Sequence, residues 1–325
     1  MREAEQMSEH RTSTNIKNAC AHAALVDARN TSRLVLEGRD GLDLLHRLST
    51  NDVLHRDQSG LMLTVLTNEK GRIIDAVRVV PFGTGHLLLG SADAEEEVLR
   101  WIEKYTIADD VAVRSITNLS TLWMLVGPEA EATTERLANT LPGFDGIFAD
   151  NTTSLRRMFV LQMGDTRKEM EERANRIGLS LLARDEWDMV RILHGMPEFG
   201  RELGPRFTPY DAGLEGFVSG TKGCYIGQEV LARIETYRKN RRKLGGFTAP
   251  SATALRVGGT LFRDGDAVGQ ITSVGPFALQ DHLIGLAVIA GDASKKGTKI
   301  YTEDGGEMMM SGLPMLSAIH DFIHE

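Results

Sequence analysis

The chain has 325 residues, more than one hydrophobic core ordinarily serves, so two or three folding units are expected. Its 42% hydrophobic and 25% charged residues are those of a globular protein, and 37 basic against 45 acidic side chains argue against a general nucleic-acid binder. Two cysteines far apart, Cys20 and Cys224, exclude a disulfide framework and cannot alone complete a four-ligand zinc or iron–sulfur site.

The N-terminal stretch MREAEQMSEHRTSTNIKN lacks the apolar run of a secretory signal, and its three glutamates are unlike an acid-poor transit peptide. No apolar run approaches the roughly 20 residues that cross a bilayer. The expectation is a cytoplasmic protein with a flexible leader over residues 1–23, and no membrane or nucleic-acid partner. RLVLEG then alternates as a strand, and Asp40 reads as the cap of a helix carrying Leu42, Leu45 and Leu48. In LMLTVLTNEKGRIIDAVRVV two apolar runs flank Asn68–Gly71, which predicts a β-hairpin. HLLLGS reads as a further strand, and Asp93 as the cap of a helix with Val98, Trp101, Ile102 and Tyr105 at helical spacing.

Strands are expected at 111–116, 122–126 and 158–163, and helices near 129–140, 167–177 and 185–195. Returning hairpins mixed with helices give an α+β class, not a clean parallel sheet. PEFGRELGPRFTPYDAG is a long Gly- and Pro-rich loop of the kind that carries function. After Gly245-Gly246, strands at 254–262, 267–274 and 283–290 alternate with turns, which predicts a β-barrel or sandwich. The domain reading is residues 24–245 for an α+β region of two interleaved subdomains and 246–325 for a C-terminal β domain.

Three constellations have chemical potential, each beside a plainer reading. Cys224 in KGCYIGQE stands just ahead of an expected helix near Gly227, where free N–H groups, the helix dipole and Lys222 favour a thiolate. The alternative is a small apolar side chain under a loop. Arg233, Arg238, Lys239, Arg241, Arg242 and Lys243 make either an anion site or a solvated helix end. Asp75, on a strand of Ile73, Ile74 and Val77, is either an acid/base group or bonded to local backbone. The histidines show no metal-type pairing.

KGCYIGQEVLAR resembles the signature of the YgfZ proteins, the folate-binding branch of the family that contains the glycine-cleavage T-protein, an aminomethyltransferase. RLVLEGRDGLDLLHRLSTNDV, LTNEKGRIIDAVRVV and the segment from RILHG to KGCYIGQE resemble its opening element, central hairpin and folate side, so the resemblance covers roughly 24–320. It implies a three-domain, clover-like fold around a channel for tetrahydrofolate, with the C-terminal barrel as the third domain. It further implies catalytic roles for Cys224 and Asp75, and folate contacts from Asp211, Lys222, Tyr225, Gln228, Glu229, Arg233 and Arg241. Iron–sulfur client or assembly proteins would be the partners. The family's hairpin typically ends in two aspartates, where this chain has Asp75-Ala76, and His194 and Asp211 stand where the family has acidic residues. The resemblance therefore leaves two functions: support of iron–sulfur cluster assembly or repair through Cys224, or aminomethyl transfer to tetrahydrofolate through Asp75.

Overall fold

The computed structural model describes residues 14–55, 60–140, 143–237, 242–279 and 281–316. Two helix-backed sheets face each other across a shared apolar interior, and a closed barrel follows them in the chain. The first sheet has the order β10-β1-β7-β9-β8, from β1 (Ala24–Asp27), β7 (Ser120–Val126), β8 (Gly146–Asp150), β9 (Arg157–Met163) and β10 (Ser180–Leu182). The second runs β3-β4-β5-β2-β6, from β2 (Thr31–Glu37), β3 (Met62–Thr67), β4 (Ile73–Phe82), β5 (Gly85–Ser91) and β6 (Ala112–Ser115).

Side chains alternate across a strand, so each sheet divides its apolar residues between two cores. On β7, Trp123 and Leu125 meet the helices α4 (Ala130–Thr140) and α5 (Arg167–Arg176), while Leu122 and Met124 face the shared interior. On β4, Ile74, Val77 and Val79 pack with α2 (Gly41–Leu48) and α3 (Glu95–Tyr105), while Ala76 and Val80 face inward. The hairpin expected around Asn68–Gly71 joins β3 to β4, and Asn68 Oδ1 closes it by accepting from the amides of Lys70 and Arg72 at 2.9 and 3.0 Å.

The stretch expected as a flexible leader contains ordered chain. Residues 14–21 form a helix, α1, with Ile16 and Ala19 fully buried. Asn15 donates to Glu186 at 3.0 Å and Asn18 to Ser180 at 2.9 Å, tying α1 to α6 (Arg184–Leu193) and β10. Two expected caps also differ. Asp40 stands at the N-cap of α2, yet its carboxylate accepts from the Asp110 amide instead of the helix. Asp93 lies in a short 3-10 turn, and Ala94 is the N-cap of α3.

The barrel is antiparallel and closed: β11 (Arg242–Pro250), β14 (His282–Ala290), β13 (Asp266–Val274), β12 (Thr260–Arg263), β15 (Lys299–Thr302) and β16 (Glu307–Ser311). Gly245 and Gly246 lie inside β11, not at its edge, because a Cβ there would sit 2.7 Å from Met310 and 2.6 Å from Met315. The strand expected at 254–262 is confined to Thr260–Arg263. The packing of α6 on β14 joins the barrel to the rest, with Met189 beside Gly275. Among the described residues no helix is long and apolar enough to cross a membrane.

Candidate functional site

Between the two sheets lies a cavity of about 540 Å³. The inward faces of β1, β4, β7 and β9 wall it, and α6 with the loop 196–203 closes one side. Leu63, Met124, Phe159, Trp187 and Phe199 give it apolar and aromatic walls. Its size and lining are those of a small-molecule site.

One wall is charged. Arg78 on β4 and Arg157 on β9 both line the cavity and both reach Asp150 Oδ2 at 2.6 Å. Asp150 itself is fully buried on β8 and accepts further from Thr152. Burial pushes the Asp150 carboxyl up, but Arg78, Arg157 and Thr152 outweigh it and hold it well below the usual carboxylate range. Burial, with repulsion from Arg78, draws Arg157 down to about 9 against the pull of Asp150. Arg157 Nη2 makes the contact with Asp150, and its buried Nε has no hydrogen-bond partner. Nearby, burial and the charge of Arg157 lower His194 to about 4, so it is neutral; Ser154 meets its Nδ1 at 3.1 Å and its Nε2 has no partner.

A third arginine organises the closing loop. Arg191 on α6 contacts Asp188 at 2.6 Å, Glu198 at 3.3 Å and Glu202 at 3.5 Å, and donates to Ser273 of the barrel at 3.1 Å. Ser273 in turn donates to Glu202 at 2.6 Å. Loop, helix and barrel are thus fastened at one buried point.

The residues singled out in the sequence are not brought together here. Asp75 shares with Val77 the face of β4 turned to α2 and α3, so strand alternation presents Ala76, not Asp75, to the cavity. The Asp75 carboxylate accepts from the Ser91 amide at 2.7 Å, the Ser91 hydroxyl at 2.8 Å and the Ala76 amide at 2.8 Å. Burial outweighs those bonds and raises its pKa to about 6. Its route to the cavity runs through Ser91, which does line it.

The KGCYIGQE loop does not line this cavity. Lys222 turns its ammonium onto the carbonyls of His46, Ser49 (2.6 Å) and Asn51 (2.9 Å), and so caps the C-terminal end of α2. That corrects its expected place beside the thiol. Tyr225 is buried with Tyr210 and Leu231. Gly227, at φ +85°, begins α7 (Gln228–Thr236), and a Cβ on it would lie 2.6 Å from the Asn68 carbonyl. Thr67 donates to the Ile226 carbonyl at 2.7 Å. The loop is therefore docked on the central hairpin and on α2. Cys224 is exposed and carries no disulfide.

The other expected folate contacts are engaged elsewhere. Asp211 accepts from the Thr208 amide and hydroxyl and pairs with Arg242 at 3.2 Å, which staples the long loop to the first barrel strand. Glu229 pairs with Arg233 one helical turn on, both exposed, and Gln228 opens α7. Arg241, with Arg238 and Lys239, lies outside the described residues. Sequence reasoning missed Arg78, Asp150 and Arg157. The available signals were an arginine interrupting the apolar run IIDAVRVV and a second heading MFVLQ.

Two helix-backed sheets enclosing a ligand-sized cavity, followed by an antiparallel barrel, define the multidomain fold of the folate-binding T-proteins. Two family models match the chain: the GCVT N-terminal domain over residues 3–143 and the glycine cleavage T-protein C-terminal barrel domain over 242–311. A presumed transferase of Arabidopsis thaliana chloroplasts is 27% identical, over 91% of this chain and 72% of that protein. The aminomethyltransferase of Caldanaerobacter subterraneus is 23% identical, over 97% of this chain and 86% of that one. The crystal structure of aminomethyltransferase T of the glycine cleavage system from Bartonella henselae has the same fold, with a TM-score of 0.78 over 94% of this chain, 89% of that one and 21% identity.

Proposed function

We propose that this protein is a YgfZ-type tetrahydrofolate-binding protein whose ligand site is the cavity between the two sheets. In this reading it supports iron–sulfur cluster assembly or repair through the exposed Cys224. The observation that carries the binding half is the cavity itself: about 540 Å³, aromatic walls at Phe159 and Trp187, and an unmatched Nε donor on Arg157. A reduced folate suits that lining, because its flat rings need apolar walls and its polar edge needs a few fixed donors. Trp187 and Phe159 would hold the rings, and Arg78 with Arg157 would supply the donors. Bound tetrahydrofolate supplies a reduced nitrogen pair that accepts one-carbon units.

Binding without transfer follows from β4. A carboxylate at position 76 would reach the ligand, and this chain has a methyl group there. The thiol acts separately, at the surface, where a partner protein reaches it without entering the cavity. Calorimetric titration with tetrahydrofolate tests the first half: micromolar binding is expected, and no heat above dilution contradicts it. Rescue of an iron–sulfur enzyme defect by the wild type but not by Cys224→Ser tests the second, and equal rescue removes the thiol.

One observation favours the transferase reading. Asp75 is joined to the cavity-lining Ser91 by two hydrogen bonds and its carboxyl titrates near 6, so a proton held there is one hydroxyl from the ligand. Turnover of aminomethyl-lipoyl carrier protein with tetrahydrofolate, abolished in Asp75→Asn, would establish it.

A further inference from the structure

The loop that closes the cavity is a unit held by its own bonds. In residues 196–203 the amides of Arg201, Glu202 and Leu203 all donate to the Glu198 carbonyl, at 3.1, 3.0 and 3.0 Å, and the Gly200 amide donates to the Leu203 carbonyl at 3.1 Å. A turn bonded to itself in this way keeps its shape when it moves. Glycines with positive φ stand at both of its ends, Gly195 at +68° and Gly204 at +121°. Other residues adopt such angles at a cost, and hinges are built at the ends of elements. Met196, Phe199 and Leu203 line the cavity from this loop.

Its side-chain bonds to α6 and to the barrel meet at one point. Arg191 contacts both carboxylates of the loop, Glu198 at 3.3 Å and Glu202 at 3.5 Å, besides Asp188 of its own helix at 2.6 Å. Arg184 pairs with Glu198 as well. From the barrel, Ser273 accepts from Arg191 at 3.1 Å and donates to Glu202 at 2.6 Å. The register of β13 on β14 shifts between Ile271 and Ser273, and a bulge of that kind re-aims a side chain. Glu202 is fully buried. Two arginines here face three carboxylates, so the closed loop buries more negative charge than they match. A buried carboxylate is costly unless its bonds offset the loss of water. The closed position therefore depends on what Ser273 and Arg191 give to Glu202.

We propose that loop 196–203 is a lid on the cavity, hinged at Gly195 and Gly204 and held shut from the barrel through Ser273 and Glu202. Opening breaks the Ser273–Glu202 bond and the 2.8 Å bond from the Met196 amide to the Arg191 carbonyl, and it carries Phe199 and Leu203 out of the cavity wall. The seat of the barrel on α6 then sets how readily the cavity opens. The lid acts on whatever small molecule the cavity takes, so it goes beyond the folate reading and stands or falls apart from it.

The test uses the full chain with Cys224→Ser and Met124→Cys, which removes the exposed thiol and puts a reporter on the cavity wall, where Met124 is 5% exposed. Cys20 stays silent, because burial pushes its thiol up to about 12. Alkylation of the reporter by iodoacetamide is timed, and hydrogen exchange is followed at Met196 and at Ile271 and Val288 of the barrel. Ser273→Ala and Glu202→Gln, one from each side of the latch, should each speed alkylation and Met196 exchange tenfold or more, with Ile271 and Val288 exchanging as in the parent chain. Glu202→Gln decides alone if Ser273→Ala does not fold. Alkylation at the parent rate overturns the lid. So does acceleration that appears equally at Ile271 and Val288, which would make Ser273 a support of the barrel only. The folate reading is decided separately, by its own calorimetric titration.

Discussion

Asp75 and His194 are buried titratable groups whose shifts oppose each other. Asp75 is raised from 3.8 to about 6, so the folded state holds its proton more tightly than the unfolded chain does. Stability from this group is fully present below about pH 4 and is lost as pH rises through 6, by roughly 3 kcal/mol on the linkage relation. His194 is lowered from 6.5 to about 4, so its contribution is present above 6.5 and lost as pH falls through 4. Thermal melts from pH 4 to 7 should therefore show the wild type losing stability relative to Asp75→Asn as pH rises; parallel curves would mean the carboxyl is not buried as described. Lys222 and Cys224, two residues apart, should separate just as clearly. Lys222→Met strips three buried or half-buried carbonyls of their donor and should cost about 2–4 kcal/mol in a denaturant titration. Cys224→Ser, at an exposed position, should stay within about 0.5 kcal/mol of the wild type.

At the scale of elements, the hairpin and the loop that docks on it were the most legible parts of the sequence. Asn68–Gly71 is turn chemistry between two apolar runs, and Gly227 was readable as the start of a helix. What the loop rests on was not readable, because Lys222 reaches carbonyls more than 170 residues earlier in the chain. The same limit hid the cavity's charged wall: Arg78, Asp150 and Arg157 sit on three strands that only the sheet packing brings together. Asp75 was legible as an anomaly, but its face depends on strand register. Gly227→Ala tests the docking. A Cβ meets the Asn68 carbonyl at a left-handed backbone position, so a loss of about 1–3 kcal/mol is expected, with Asn68 hydrogen exchange accelerated. Exchange unchanged from the wild type would show that the loop is not held by the hairpin.

For the whole molecule, the α+β class, a C-terminal barrel or sandwich and most helices followed from hydrophobic period and turn residues, and the family resemblance chose the barrel, whereas the helix at 14–21 and the glycines inside β11 followed from neither. Helix α1 is short and polar on its outer side, and its anchors Glu186 and Ser180 belong to distant elements. Gly245 and Gly246 are readable as a break until Met310 and Met315 are seen to fill the space a side chain would take. The architecture separates two features that the sequence had placed together: a ligand-sized cavity between the sheets and an exposed thiol on a loop outside that cavity. Ala76→Asp, which puts a carboxylate on the cavity face, should alter ligand affinity without affecting thiol alkylation at Cys224. The most direct measurement is a paired calorimetric titration of tetrahydrofolate into Trp187→Ala and Cys224→Ser. Binding weakened about tenfold or more in the first and equal to the wild type in the second is the expected result; the reverse pattern would place the ligand at the cysteine loop and contradict the account.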